Sequence, residues 1–377
     1  MEVLTRPERL IAGAAGAVLV AALLGTSAGN AAQPVAGVAD VITPTPDPSP
    51  SPSASPSPAA SPSAVPTPTP TPTMTGALPA RAAAPAPPLT GCPPPPRPGG
   101  PYVPKPLAAP KVPDAALPPA LPRRPKAKNL NAIAGKGIWV TNWPTSTVNV
   151  AGIVSKAKRA GVSSIWVRTG GSRQGYYGGR VLPALVPAAH RAGLKVVAWD
   201  FPFLSDPVAD ASRAHKALAT GIDAFAPDVE TAAEGTHATT RRVTLYLSLV
   251  RGFAGSRPIA ATVPRPTPKR LASFPYAAFA PYADVFVPMV YWSCNEPGLL
   301  VQQSLTKLGR WLPVAPVGQA YDMRTDGGRA GLPSRAETWR FLDSARRGGA
   351  VGASLWTIET IGTAQWSALS AYPWLGR

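Results

Sequence analysis

The chain has 377 residues and a formal charge of +18, with 37 Lys and Arg against 19 Asp and Glu. Its 50 prolines crowd into the first third, a composition that cannot bury enough apolar surface to offset chain entropy, so that third is excluded from any core. The basic balance favours polyanions, but there is no zinc-finger spacing, RNP aromatic set or basic coiled coil, and no HExxH or CxxC. The usual nucleic-acid modules and protein-bound metal sites are thereby excluded, and no cofactor is expected.

Residues 1–32 read as a secretory signal. Arg6 and Arg9 precede an apolar run from Leu10 to Gly25, and small residues follow from Ala28 to Ala32. The alternative is an uncleaved anchor, which would be the chain's only membrane contact. Residues 33–128 are a Pro/Ser/Thr-rich linker. Within it, Thr43 to Thr73 is a Pro-Thr/Pro-Ser ladder, expected to extend as polyproline II over on the order of 95 Å. The expected location is therefore secreted or envelope-associated, outside the cytoplasm.

From Gly137 onward the pattern becomes β-rich runs alternating with helix-period segments. The predicted strands are Ile138–Trp143, Ser164–Thr169, Lys195–Phe201, Ile222–Glu230, Pro258–Val263, Asp284–Trp292, Val314–Tyr321 and Ala353–Thr360. Val150, Ile153, Val154 and Ala157 share a helix face, as do Leu182, Leu185, Val186 and Ala189. Asp206-Pro207 reads as a helix start, Ser334 and Glu337 as a capping box, and Gly161 and Gly193 as helix ends. Residues 129–377 are thus an α/β domain, a single (β/α)8 TIM barrel. A doubly wound sheet would place a glycine-rich phosphate loop after the first strand, where Thr141-Asn142-Trp143-Pro144 stand instead.

In this architecture the site lies at the C-terminal strand ends. These bring Trp143, Arg168, Asp200, Asp228, Glu230, Tyr291, Trp292, Tyr321, Trp356 and Glu359 into consideration. Aromatic faces suit pyranose rings, and paired carboxylates suit glycosidic acid/base chemistry. Asp228 and Glu230 are two apart on one strand, so they share a face. Like charges that close raise one pKa and keep one group protonated as a general acid. Cys92 and Cys294 are an even number in an oxidising compartment. Cys294 falls just past the sixth strand, and a bond to Cys92 would pin the tether beside the mouth.

The stretch Asp223-Ala224-Phe225-Ala226-Pro227-Asp228-Val229-Glu230 resembles the D-G-x-D-x-D-x-E signature of family 18 glycoside hydrolases, the chitinases and endo-N-acetylglucosaminidases. Asp223, Asp228 and Glu230 match, and Ala226 stands where the middle aspartate would be. Pro288-Met289-Val290-Tyr291 resembles the family's Met-x-Tyr, and Trp356 its sugar-floor tryptophan. The resemblance implies that Glu230 protonates the glycosidic oxygen. It further implies that Asp228 steadies the substrate's attacking acetamido group and that Tyr291 hydrogen-bonds it. Gly137-Ile138-Trp139-Val140 and Asp228-Val229-Glu230 are also similar to family 25 wall lysozymes. The expected partner is a polysaccharide, with anionic wall polymers attracted by the basic surface and no nucleic acid. The competing reading is a binding or scaffold barrel that kept the aromatic cleft without turnover.

Overall fold

The computed structural model describes Cys92, residues 107–142 and residues 148–374. The predicted leader, the Pro-Thr/Pro-Ser ladder and Trp143 lie outside the described residues. Eight parallel strands form the barrel: β1 (Gly135–Val140), β2 (Ser164–Gly171), β4 (Lys195–Phe201), β5 (Ala224–Pro227), β6 (Ala260–Pro264), β7 (Val285–Val290), β8 (Val317–Gln319) and β9 (Gly352–Trp356). A two-residue β3 (Gly175–Tyr176) folds back antiparallel on β2. The hydrogen-bonded order is β5-β4-β2-β1-β9-β8-β7-β6. The remaining seam, between β5 and β6, is stitched by the isolated parallel bridges Phe225–Ile259 and Asp228–Thr262.

The helices α1 (Val150–Arg159), α2 (Leu182–Arg191), α3 (Pro207–Leu218), α4 (Thr240–Ala254), α5 (Pro268–Ser273), α6 (Pro297–Leu308), α7 (Arg335–Arg347) and α8 (Thr363–Ala371) follow the strands. Their punctuation matches the sequence. The Asp206 side chain accepts from Ala209 N–H at 3.0 Å, with Pro207 opening α3. Ser334 and Glu337 bond each other's backbone N–H groups at α7. Gly161 and Gly193 take φ values of +61° and +77°, a region open to glycine because it lacks a Cβ.

Each strand serves two cores, because successive side chains point to opposite faces. Ile138, Val140, Ile165, Val167, Val196, Ala198 and Phe225 join the layer between strands and helices. Trp139, Trp166, Val197, Trp199, Ala224, Ala226, Ala260 and Val287 fill the barrel itself. The bulk is unevenly divided. Trp139 lies against Trp166, Trp199 and Trp356 at centroid separations of 4.8, 5.5 and 5.4 Å. These rings occupy β1, β2, β4 and β9, while the facing strands carry mostly Ala and Val. Large residues on one wall need small ones opposite if the interior is to stay close-packed.

Residues 107–128, assigned to the linker on composition, lie against the barrel. Val112 N–H donates to Ser205 O at 3.1 Å, and the Arg242 guanidinium donates to Val112 O and pairs with Asp114, each at 2.6 Å. Arg241 reaches Leu117 O, Ser248 accepts from Leu121 N–H, and Asp284 accepts from Ala127 N–H. Leu117 is buried. Proline-rich sequence lacks donors for a sheet but keeps its carbonyls, and arginines of α4 use them. Leu130–Ala134 then closes the N-terminal end of the barrel, with Ala132 and Ile133 in the inner core.

Candidate active site at the barrel mouth

The fourth barrel strand, β5, has Ala224 and Ala226 inward and Phe225 outward, with Val229 also in the outer layer. The same alternation turns Asp228 and Glu230 toward the mouth, just past the strand's last regular pair. The expected strand is shorter than its apolar run suggests: regular pairing ends at Pro227, and Asp228 continues only as a bridge to Thr262. Asp228 N–H donates to Asp200 O at 2.9 Å, and Val229 N–H to Thr262 O at 3.0 Å, which fixes this extension to both neighbours.

Asp228 is buried and Glu230 half-buried. Asp228 Oδ1 and Thr262 Oγ1 are buried polar atoms without a hydrogen-bond partner among the described residues. Burial pushes the Asp228 carboxyl up to about 7; Glu234 and Asp200 add to this, and the Arg168 charge opposes it. Burial also holds Glu230 well above the usual carboxylate range, reinforced by Asp228 and Glu234 and opposed by Arg270 and Arg168. Both effects favour the protonated form of the pair over the fully ionised one. A protonated carboxyl beside an ionisable one is the arrangement general acid catalysis uses.

Arg168 comes from β2 and lies over the Trp199 ring at 5.0 Å, with Nε donating to Gly170 O at 3.4 Å. Tyr291, half-buried just past β7, meets Tyr321 edge-on at 5.5 Å. Burial holds the Tyr291 hydroxyl proton firmly, and Tyr321 donates to Asp326 at 2.9 Å. Trp356 is half-buried on the tryptophan set, and the Trp356–Thr357 peptide is cis. Tyr177 is buried next to Arg168, its hydroxyl without a partner among the described residues. The mouth thus gathers Asp228, Glu230, Arg168, Tyr291, Tyr321 and Trp356.

Other expected members turn away from it. Val197, Trp199 and Phe201 face inward, so Asp200 faces α3, where Arg213 Nη2 holds it at 2.8 Å while Arg213 Nη1 pairs with Asp210. Met289 and Tyr291 face inward, so Trp292 packs outward, stacked on Phe341 with Nε1 donating to Glu337. Glu359 is exposed and ties the ends of β1 and β9 by accepting from Thr141 N–H and the Thr357 hydroxyl. It faces a depression beside α1 shared with Asn142, Asn149 and Lys156. Asp223 lies at the opposite end of β5 and binds His190, Lys195 and Val196 N–H. Thr262, bridged to Asp228, and Glu234, whose charge is felt at Asp228 and Glu230, adjoin the candidate site and are not named from the sequence. The alternation Ala260, Thr262 was a usable signal for the first, whereas Glu234 reaches the pair only through a short 3-10 turn.

Cys92 and Cys294 are joined by a disulfide, with Cα atoms 5.7 Å apart. Cys294 follows Ser293, whose N–H donates to Gln319 Oε1 at 2.9 Å, so the bond sits on the rim between β7 and β8.

No family model matches the chain, and no curated protein does. Solved structures are similar over the barrel. A chitinase from Chromobacterium violaceum aligns with TM-score 0.48 and 11% identity, covering 64% of this chain and 100% of that one. A chitinase from Rhizomucor miehei aligns with TM-score 0.45 and 14% identity, over 62% and 98% respectively. The spore cortex-lytic enzyme SleL of Bacillus cereus aligns with TM-score 0.48 and 10% identity, over 64% and 75%.

Proposed function

We propose that this chain is an exported glycoside hydrolase of the cell envelope or its surroundings, acting on polysaccharide. The observation that carries the reading is the pair Asp228 and Glu230: two carboxylates on one face of the β5 extension, both with raised proton affinity, at an aromatic-lined mouth. Glu230 is assigned as the general acid that protonates the leaving glycosidic oxygen. Burial and Asp228 both favour its protonated form, and its half-exposed position gives a substrate access to it. Asp228, deeper, acts on the opposite partner: its unpartnered Oδ1 accepts from a donor on the sugar, the role an acetamido N–H would fill. Tyr291 supplies a hydroxyl and Trp356 a ring face to position the sugar.

A second reading, a glycan-binding barrel without turnover, has one observation in its favour. Ala226 sits inward directly below Asp228, so Asp228 has no carboxylate beneath it to exchange a proton with. The test is release of reducing ends from chitin oligosaccharides and from peptidoglycan by the full-length protein, beside Glu230→Gln. The enzyme reading expects kcat to fall by roughly 10²–10⁴-fold with binding retained. Binding without turnover in both proteins would establish the scaffold.

A further inference from the structure

Four buried arginines among the described residues pair with carboxylates. Arg213 is held by Asp200 and Asp210, Arg242 by Asp114, Arg251 by Asp284, and Arg329 by Glu337. Arg265, on the loop between β6 and α5, differs from these four. It is half-buried, yet pairs with no carboxylate among the described residues; its charged neighbour is another cation, Arg270. Arg270 Nη1 lies 3.5 Å from Arg265 O, and Lys307 Nζ donates to Pro266 O at 3.3 Å. Three cationic side chains therefore gather on Pro264–Pro268, with exposed Lys269 beside them.

The loop is stiff. Prolines occupy 264, 266 and 268. Thr267 N–H donates to Arg265 O at 2.9 Å, and the Tyr276 hydroxyl donates to Pro264 O at 2.8 Å. It also adjoins the acid pair. Thr262, two residues before β6 ends, is bridged to Asp228, and the Arg270 charge is felt at Glu230. Like charges crowded on a rigid loop repel one another unless an anion comes between them.

We propose that the β6–α5 loop is an anion subsite, in which Arg265 and Arg270 receive a carboxylate or phosphate carried by the glycan next to the sugar held at Asp228 and Glu230. The substrate class is then an acidic glycan rather than a neutral one. The location rests on the hydrolase reading, but the recognition does not require turnover. A guanidinium pair binds such oxygens by charge-assisted hydrogen bonds, in a forked geometry that suits both anions.

The experiment measures binding of the full-length protein to three fluorescent probes: chitohexaose, a galacturonate hexamer and a short poly(glycerol phosphate). Arg265→Gln/Arg270→Gln is compared with wild type and with Lys158→Gln/Arg159→Gln, an equal charge loss at the far end of α1. The loop variant is expected to lower affinity for at least one anionic probe, relative to chitohexaose, by roughly tenfold. The control variant is expected to leave that ratio unchanged. Selective loss for the hexamer identifies a carboxylate ligand, and selective loss for the polymer a phosphate. An unchanged ratio in the loop variant, or an equal fall in the control, overturns the proposal. Reducing-end assays on the same proteins keep the two readings apart. Selective binding with no hydrolysis of any glycan would sink the hydrolase and leave the subsite. Hydrolysis with an unchanged binding ratio would do the reverse.

Discussion

Asp228 and Thr262 face each other across the seam of the barrel, bridged through their backbones, and each presents a buried side-chain oxygen with no partner among the described residues. Buried polar atoms are ordinarily satisfied, at a cost of about 1–3 kcal/mol when they are not. Two such atoms side by side, beneath the half-exposed Glu230, mark a place where a ligand's polar groups would complete the structure.

The strain of holding two acids there is measurable as stability. Asp228 is raised to about 7, so its favourable contribution is complete below the ordinary carboxylate range and is lost as pH climbs through about 7. Asp228→Asn removes that penalty. The variant should gain on the order of 2 kcal/mol near pH 8 and nothing near pH 4. Urea denaturation at the two pH values reads this out, and equal gains at both would contradict it.

The same substitution should move the pH–rate profile. On the proposed hydrolase reading Glu230 acts in its protonated form, so activity is expected to fall as pH rises through its pKa. Asp228 is, after burial, the largest cause holding that pKa up. Asp228→Asn should therefore shift the alkaline limb of kcat/KM to lower pH, on whatever activity survives. A shift to higher pH, or none, would show that the two groups do not sense each other.

Trp292 and Trp356 should behave differently on substitution. Trp292 is fully buried against Phe341, and Trp292→Ala should cost about 3–5 kcal/mol of folding stability. Trp356 is half-buried at the mouth, and Trp356→Ala should weaken glycan binding with a smaller stability loss. Calorimetric unfolding and titration with chitohexaose, run on both variants, separate the effects.

How far the sequence could be read follows from that contrast. The strands of a parallel barrel are apolar on both faces, so hydropathy does not distinguish inward from outward residues. The sequence therefore offers Asp200 and Trp292 for the mouth, although each is one step out of phase with its inward neighbours Trp199 and Tyr291. Asp228 and Glu230 were legible because their spacing of two requires only that they agree with each other. The docking of residues 107–128 was not legible, since its energy comes from arginines more than a hundred positions away rather than from any pattern within the segment.

Arg213 is the test of the buried network behind the site. Arg213→Met would strand Asp200 and Asp210 as uncompensated buried charges and should cost about 3–5 kcal/mol. Adding Asp200→Asn should restore part of the loss. A single variant as stable as wild type, in the same denaturation assay, would show that the aspartates find other partners.

The disulfide closes a span of 202 residues. On the chain-entropy account, such a closure contributes roughly 5 kcal/mol by restricting the unfolded chain. Cys92→Ser should lower Tm, and a reductant should lower wild type to the same value and leave the variant unmoved.

The chain has ten tryptophans, and four of them are locked ring against ring, Trp356 closing the set against Trp199 at 5.2 Å. Chromophores this near exchange excitation, so they emit and absorb as a group. Covering the accessible ring with a sugar would perturb the collective spectrum. On the proposed glycan reading, the protein would carry its own label-free reporter of occupancy, one readable in variants where nothing is cleaved.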